Sequence, residues 1–134
     1  MTSIQSFHQL LARDPRYKLE AYQFIRESLT FAHDVLRLHE LSDPSGEEAR
    51  HITGQQLCEA CRVYAQQQYG YLARLVLNRW GIFSTGDFGE IVYNLIDIEQ
   101  MRKSESDRRE DFEEVFEFET AFQPEFVVAL PNEA

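Results

Sequence analysis

The stretch "NRWGIFSTGDFGEIVYNLI", residues 78–96, can be read as a catalytic loop, a DNA-reading helix pair or a helix end followed by a helix start. Its Asp87-Phe88-Gly89 has the letters that hold magnesium in protein kinases. That aspartate works only beside a Gly-rich loop, a strand-borne lysine and an H-R-D loop, none of which is in this chain. A helix-turn-helix would make "TGDFGEIVYNLIDIEQ" the recognition helix, with four acids and no lysine or arginine, and would place bulky Leu77 beside Gly81 where close crossing wants a small residue. Phosphate would repel such a helix, so direct DNA binding is not expected. The third reading fits. Gly81 stops one helix, Thr85 caps the next, Asp87 and Glu90 favour its dipole, and Phe88, Ile91, Val92, Leu95 and Ile96 form its apolar stripe.

Outward from this point the helical period continues. "SIQSFHQLLAR" puts Ile4, Phe7, His8 and Leu11 on one stripe and predicts a first helix ending near Arg13. Asp14-Pro15 has the form of an N-cap followed by a first-turn proline, predicting a second helix from about 15 to 38 with Tyr22, Ile25, Leu29, Ala32 and Leu36 inward. "LSDPSGEEARH", residues 41–51, is an exposed loop. Thr53 caps residues 54–69, whose Leu57, Cys58, Cys61, Tyr64, Ala65 and Gln68 share a side, and Gly70 ends that helix. "YLARLVLNRW", residues 71–80, is a fourth helix. Ser104, with Asp107 three residues on, caps a sixth anchored by Phe112, Val115, Phe116 and Phe122.

The expected fold is mainly α, a single compact domain of five to six helices over residues 1–124, with residues 125–134 a loose tail. Residues 115–130, "VFEFETAF" then "EFVVAL", alternate well enough to offer a short C-terminal β-hairpin instead of the last helix. The 134 residues, 43% hydrophobic and 13% aromatic, suffice for one sizeable core. No apolar run approaches the length of a membrane span, and the N-terminus lacks a basic segment followed by an apolar one, so a cytoplasmic protein without membrane association is expected.

Two motifs carry chemistry on paper. Cys58 and Cys61 have the spacing of a thioredoxin-type pair or half a zinc site, but no second pair of ligands follows, and Cys58 lies more than a turn inside its helix, away from the N-terminus that would activate it. Small buried hydrophobes are the better reading, with no metal and no cofactor expected. His33-Asp34 is the dyad of HD-type metal-dependent phosphohydrolases, with His8 and Asp87 or Asp97 as distant candidate ligands. That hydrolase is the alternative function. Against it, His8 and His33 fall on or beside apolar stripes, where a hydrogen-bonded core histidine is the commoner role.

The net charge of −10 is unevenly spread: residues 105–125 hold nine acids against Arg108 and Arg109, so seven of the ten net charges sit there. Carboxylates interleaved with phenylalanines are either a solvated helix face or a surface that steers and docks a basic partner. The leading expectation is the second, a non-catalytic interaction module in which Glu110, Asp111, Glu113, Glu114 and Glu117 meet a basic protein or a basic surface of an assembly. A homo-oligomer that buries surplus phenylalanines is a further option.

Tyr17, Ala21-Tyr22, Phe24-Ile25, Gly54, Leu57, Arg62, Tyr64-Ala65, Tyr69-Gly70, "VLNRWGI", "TGDFGEIVYNLI", Asp107, Asp111-Phe112, "VFEF" and Ala121-Phe122 together form a recognisable pattern. It resembles an uncharacterised family of small proteins largely restricted to planctomycetes and verrucomicrobia, over about residues 17–122. The run from Trp80-Gly81-Ile82 to Val92 is its most specific part. The resemblance implies a compact bacterial cytoplasmic domain and brings no activity, cofactor or catalytic residue. Cys58 and Cys61 stand where apolar or small residues are expected in relatives.

Overall fold

The computed structural model describes residues 3–42, 52–103 and 107–122, with the side chains of the second helix described as far as Val35. The elements are α1 (Ser3–Arg13), α2 (Leu19–Ser42), α3 (Gly54–Tyr69), a 3-10 turn (Gly70–Leu72), α4 (Ala73–Arg79), α5 (Thr85–Asp97), a second 3-10 turn (Arg109–Phe112) and α6 (Phe118–Ala121). The fold is mainly α, and no strand occurs among the described residues. No described helix is long and apolar enough to cross a membrane.

α2 packs on α3 and α5, and the 109–112 turn fills the remaining space between α3 and α5. Phe24 of α2 lies at the centre, its ring 5.9 Å from those of Tyr64 and Trp80 and 6.4 Å from that of Phe88. Such tilted aromatic contacts add roughly 0.5–1.5 kcal/mol each to the burial of the rings. The stripe of α5 is buried as its spacing predicts, at Phe88, Ile91, Val92 and Leu95. Gly89 belongs to the packing for a different reason. A Cβ there would lie 2.7 Å from Phe112 Cβ, so the glycine is the notch that lets the 109–112 turn close on α5.

α3 starts as predicted. Thr53 Oγ1 accepts from Gln56 N at 3.1 Å and Gln56 Oε1 from Thr53 N at 2.9 Å, a reciprocal capping box. Its inward side is Leu57, Cys58, Cys61 and Ala65, whereas Gln68 is exposed. α4 is shorter than predicted because Gly70–Leu72 winds as a 3-10 turn. Its end closes as a Schellman motif: Gly81 N donates to Asn78 O at 3.1 Å and Ile82 N to Leu77 O at 2.9 Å, with Gly81 at φ 96°.

Several expectations are corrected. α2 begins at Leu19, not Pro15, and runs to Ser42. Asp14 caps no helix: its carboxylate is taken by the Arg16 amide and guanidinium and by Asn94, and residues 14–18 turn so that Lys18 N reaches Trp80 O at 3.2 Å. The cap of α5 is Ser84, one residue before Thr85, since Thr85 is itself buried. Ile4 and His8 face solvent, while Phe7 and Leu11 of the expected stripe pack against the core, Phe7 6.0 Å from Tyr22, together with the fully buried Leu10. The sixth helix is a single turn at Phe118–Ala121, and residues 115–122 form no strand. Ser104, most of the 41–51 loop, the second hairpin segment and the 125–134 tail lie outside the described residues.

Candidate partner-docking surface

Two groups of carboxylates flank the start of α5. The first begins with Asp87, whose Oδ2 accepts from Phe83 N at 2.8 Å and Ser84 N at 3.2 Å, while Oδ1 accepts from Tyr17 Oη at 2.5 Å. One aspartate thus satisfies backbone amides that a helix start leaves free and a phenol brought in from the 14–18 turn. Burial first, and then the hydrogen bond to Asp87, push the Tyr17 hydroxyl well above its ordinary range, so it stays a donor.

Around this pair, Arg16 holds Asp14 through Nε at 2.8 Å and Nη2 at 2.6 Å and reaches Glu90 at 3.3 Å. Arg109 meets the other oxygen of Glu90 at 3.0 Å, and Asn94 Nδ2 joins Asp14 Oδ2 at 2.9 Å to Tyr22 Oη at 3.2 Å. Arg16 holds the Asp14 carboxyl far below the usual carboxylate range even though burial opposes it. Every acid here has a partner inside the fold. The Asp-Phe-Gly letters therefore mark a helix cap and an interhelix tie.

The second group is built differently. After the 109–112 turn, Glu114 adopts φ 49°, unusual for a residue with a Cβ, and turns the chain back toward α5. Val115 N then donates to Thr85 Oγ1 at 3.2 Å, and Gln66 Nε2 of α3 donates to Ala121 O at 3.0 Å. Between these tethers, extended backbone at Glu117 puts Phe116 and Phe118 on the inner side and glutamates outside. Phe118 lies 5.6 Å from Phe88 and 5.0 Å from Phe122. The alternation in "VFEFETAF" is thus real as an inside-outside pattern. Its amide and carbonyl partners come from α5 and α3 side chains, so no second strand is required.

Beside this segment lies an open groove of about 920 Å³, with Glu113, Glu114, Glu117 and Glu119 on one wall, Arg74, Phe83 and Ser84–Gly86 on the other, and Phe116 and Phe118 also in its lining. Phe83 is 63% exposed, the only exposed phenylalanine among the described ones. Glu113, Glu114 and Glu117 have no side-chain partner among the described residues, and Glu119 has only Arg74 at 3.9 Å. Long-range attraction of a cation is strongest where like charges line a concave surface with low-dielectric walls.

The five acids expected to act together divide. Glu113, Glu114 and Glu117 share the groove, whereas Glu110 is exposed on the 109–112 turn outside it. Asp111 is engaged in the fold: its carboxylate accepts from Arg108 N at 3.2 Å and Gln55 Nε2 at 3.4 Å. The groove adds Glu119, Phe83 and Arg74. Glu119 was within reach of the same alternation, and Phe83 stands alone between the Gly81 stop and the Ser84 cap, outside both helical stripes.

The other candidates stay apart. His33 and Asp34 are exposed on α2, Asp97 pairs with Arg13 at 3.2 Å, and Asp87 is used as above, so neither exposed histidine fills the core role expected of it. Among the described residues, no three His, Cys, Asp or Glu side chains are grouped to hold a metal. Cys58 and Cys61 are free thiols buried against α2. Burial pushes Cys61 up to about 12 and Cys58 further, which favours the neutral thiol in both. Among the described phenylalanines, Phe24, Phe88, Phe112, Phe118 and Phe122 are buried. Compared with known protein families, curated proteins and solved structures, the chain matches none of them.

Proposed function

We propose that this protein is a non-catalytic interaction module whose groove, lined by Glu113, Glu114, Glu117 and Glu119 with Phe83 at its edge, docks an arginine-bearing segment of a basic protein or assembly. The observation that carries the reading is the combination of three unpartnered glutamates and an exposed phenylalanine across one concavity. A guanidinium suits it better than an ammonium, because it stacks flat on an aromatic ring and donates in a fork to carboxylates. The seven net charges gathered in residues 105–125 add steering at a distance. A bacterial cytoplasmic setting and the likeness to the small-protein family belong to the same proposal, and they lend it no activity.

The test is a titration of isotope-labelled protein with a panel of arginine-rich and lysine-rich peptides, each with one apolar residue. Amide shifts centred on Phe83 and residues 113–119, stronger for arginine and weakened as salt rises toward a Debye length of about 3 Å at 1 M, are expected. The Glu113→Gln, Glu114→Gln, Glu117→Gln triple variant should lose them. Shifts spread over the whole surface, or a binding constant unchanged by salt and by the triple variant, would end the proposal.

A further inference from the structure

The large apolar side chains left on the surface are concentrated in one short span. Of the seven exposed ones among the described residues, four, Tyr71, Leu72, Leu75 and Phe83, lie between the 70–72 turn and the start of α5. Leu72, Leu75 and Arg79 recur at the three- and four-residue steps that put side chains on one helix face, and all three are exposed, while Ala73 and Leu77 of the same helix are buried. Single exposed apolar residues need no explanation, but neighbours on one face mark a surface that meets something.

Charge is segregated around this stripe. Residues 60–86 carry three arginines and no acid, in a chain of net charge −10 whose excess lies in residues 105–125. Arg62 is taken by Glu59, and Arg74 lines the acidic groove 3.9 Å from Glu119. Arg79 forms no ion pair with a described residue. One wall of the groove thus holds the unpartnered Glu113, Glu114 and Glu117, the other holds Arg74 and Phe83, and the helix that carries Arg74 also carries the stripe that ends in Arg79. A two-fold axis pairs a surface with itself, so each patch must find its complement in an identical copy. Unanswered acids beside an unanswered arginine and exposed apolar residues meet that condition.

We propose that the groove's partner is a second copy of this chain, whose α4 brings Arg79 to Glu113, Glu114 and Glu117 and whose Leu72 and Leu75 cover the apolar surface around Phe83, twice over about a two-fold axis. The inference rests on the reading of the groove as an arginine-docking surface and names the occupant. Apolar burial supplies the attraction, and the arginine–glutamate contacts fix the register. Two chains of net charge −10 repel at a distance, and salt shortens that repulsion while screening contact pairs less.

Sedimentation equilibrium of the full chain at about 0.15 M salt, where the Debye length is about 8 Å, reads the association. The mass should approach that of a dimer as the concentration rises toward about 1 mM, the range in which small interfaces associate. Leu75→Glu and Arg79→Glu, both on the surface, should each weaken the dimer about tenfold or more, because each sets like charges against the groove or a charge against apolar surface. Reversing the groove with Glu113→Arg, Glu114→Arg and Glu117→Arg together should do the same. Mixing the Arg79→Glu chain with the groove-reversed chain restores opposite charges at both contacts, so the mixture should form a heterodimer although neither chain dimerises alone. A monomer at every concentration, a dimer indifferent to Arg79→Glu and to groove reversal, or no recovery on mixing would overturn the proposal. Titration with an arginine-rich peptide keeps the two readings apart: a monomer that still shows shifts at Phe83 and residues 113–119 refutes the second copy alone, and a monomer without them refutes the groove reading as well. If thermal unfolding shows that the groove-reversed chain does not fold, Leu75→Glu and Arg79→Glu decide the matter, and a native-like dimer in both overturns it.

Discussion

The corner at Tyr17 and Asp87 and the groove at residues 113–119 use the same materials, carboxylates beside aromatic rings, on opposite sides of the start of α5. At the corner each acid is answered from within: Asp87 by two amides and a phenol, Asp14 by Arg16 and Asn94, Glu90 by two arginines. In the groove, Glu113, Glu114 and Glu117 face solvent with no described partner. Sequence distance separates the two cases. Besides local partners, the corner acids have ties that span seventy to eighty residues, Asp87 to Tyr17, Glu90 to Arg16 and Asp14 to Asn94, whereas the groove acids sit where the inward side is already filled by phenylalanines. The lesson is that charge density alone does not mark a binding surface; charge left unanswered by the fold does.

The contrast breaks most severely at Gly81. A Cβ there would lie 2.0 Å from Arg16 O, in addition to the strain of φ 96°, so Gly81→Ala should displace the 14–18 turn and lose about 3 kcal/mol or more. Chemical denaturation measures the loss, and a value below about 1 kcal/mol would mean the corner is loosely held. Asp87→Ala comes next. It removes a cap worth roughly 0.5–2 kcal/mol and orphans a buried phenol at a further 1–3 kcal/mol, for a combined loss of about 1.5–5 kcal/mol, less for Asp87→Asn.

Asp14 gives a pH signature. Its carboxyl is depressed by Arg16, so its contribution is complete above the ordinary carboxylate value of about 4 and is lost as pH falls below it. Asp14→Asn should therefore be less stable than the native chain at pH 7, with the difference shrinking in acid; unfolding curves at pH 7, 4 and 2 would show whether the two converge. The smallest effect sharpens the comparison from the other side. Glu113→Gln, Glu114→Gln and Glu117→Gln together should change stability by no more than about 0.5 kcal/mol, as for solvated surface positions, while abolishing peptide binding. A large loss of stability would show that these acids belong to the fold after all.

Legibility follows the range of the interactions. The stripe of α5, the Thr53 cap and the Gly81 stop are readable because capping and helical period involve residues within four of each other. The start of α2 was misread at Asp14-Pro15 because a strong local capping signal lost to a tertiary tie with Asn94, eighty residues away. The groove was half legible: the acids and their alternation are in the sequence, but its far wall, Phe83 and Arg74, is not near them in the chain.

What the sequence by itself determined is therefore local: helical class, helix stops and starts, a buried cysteine pair and a concentration of negative charge near the C-terminal end. Only the tertiary structure decided which carboxylates are spent on the fold and which remain on the surface, because that depends on partners brought together across the chain. Gly81 and Gly89 show the same division. The sequence marks them as turn and helix residues, but their need to lack a side chain comes from the backbone of Arg16 and the ring of Phe112 that pack where a Cβ would stand.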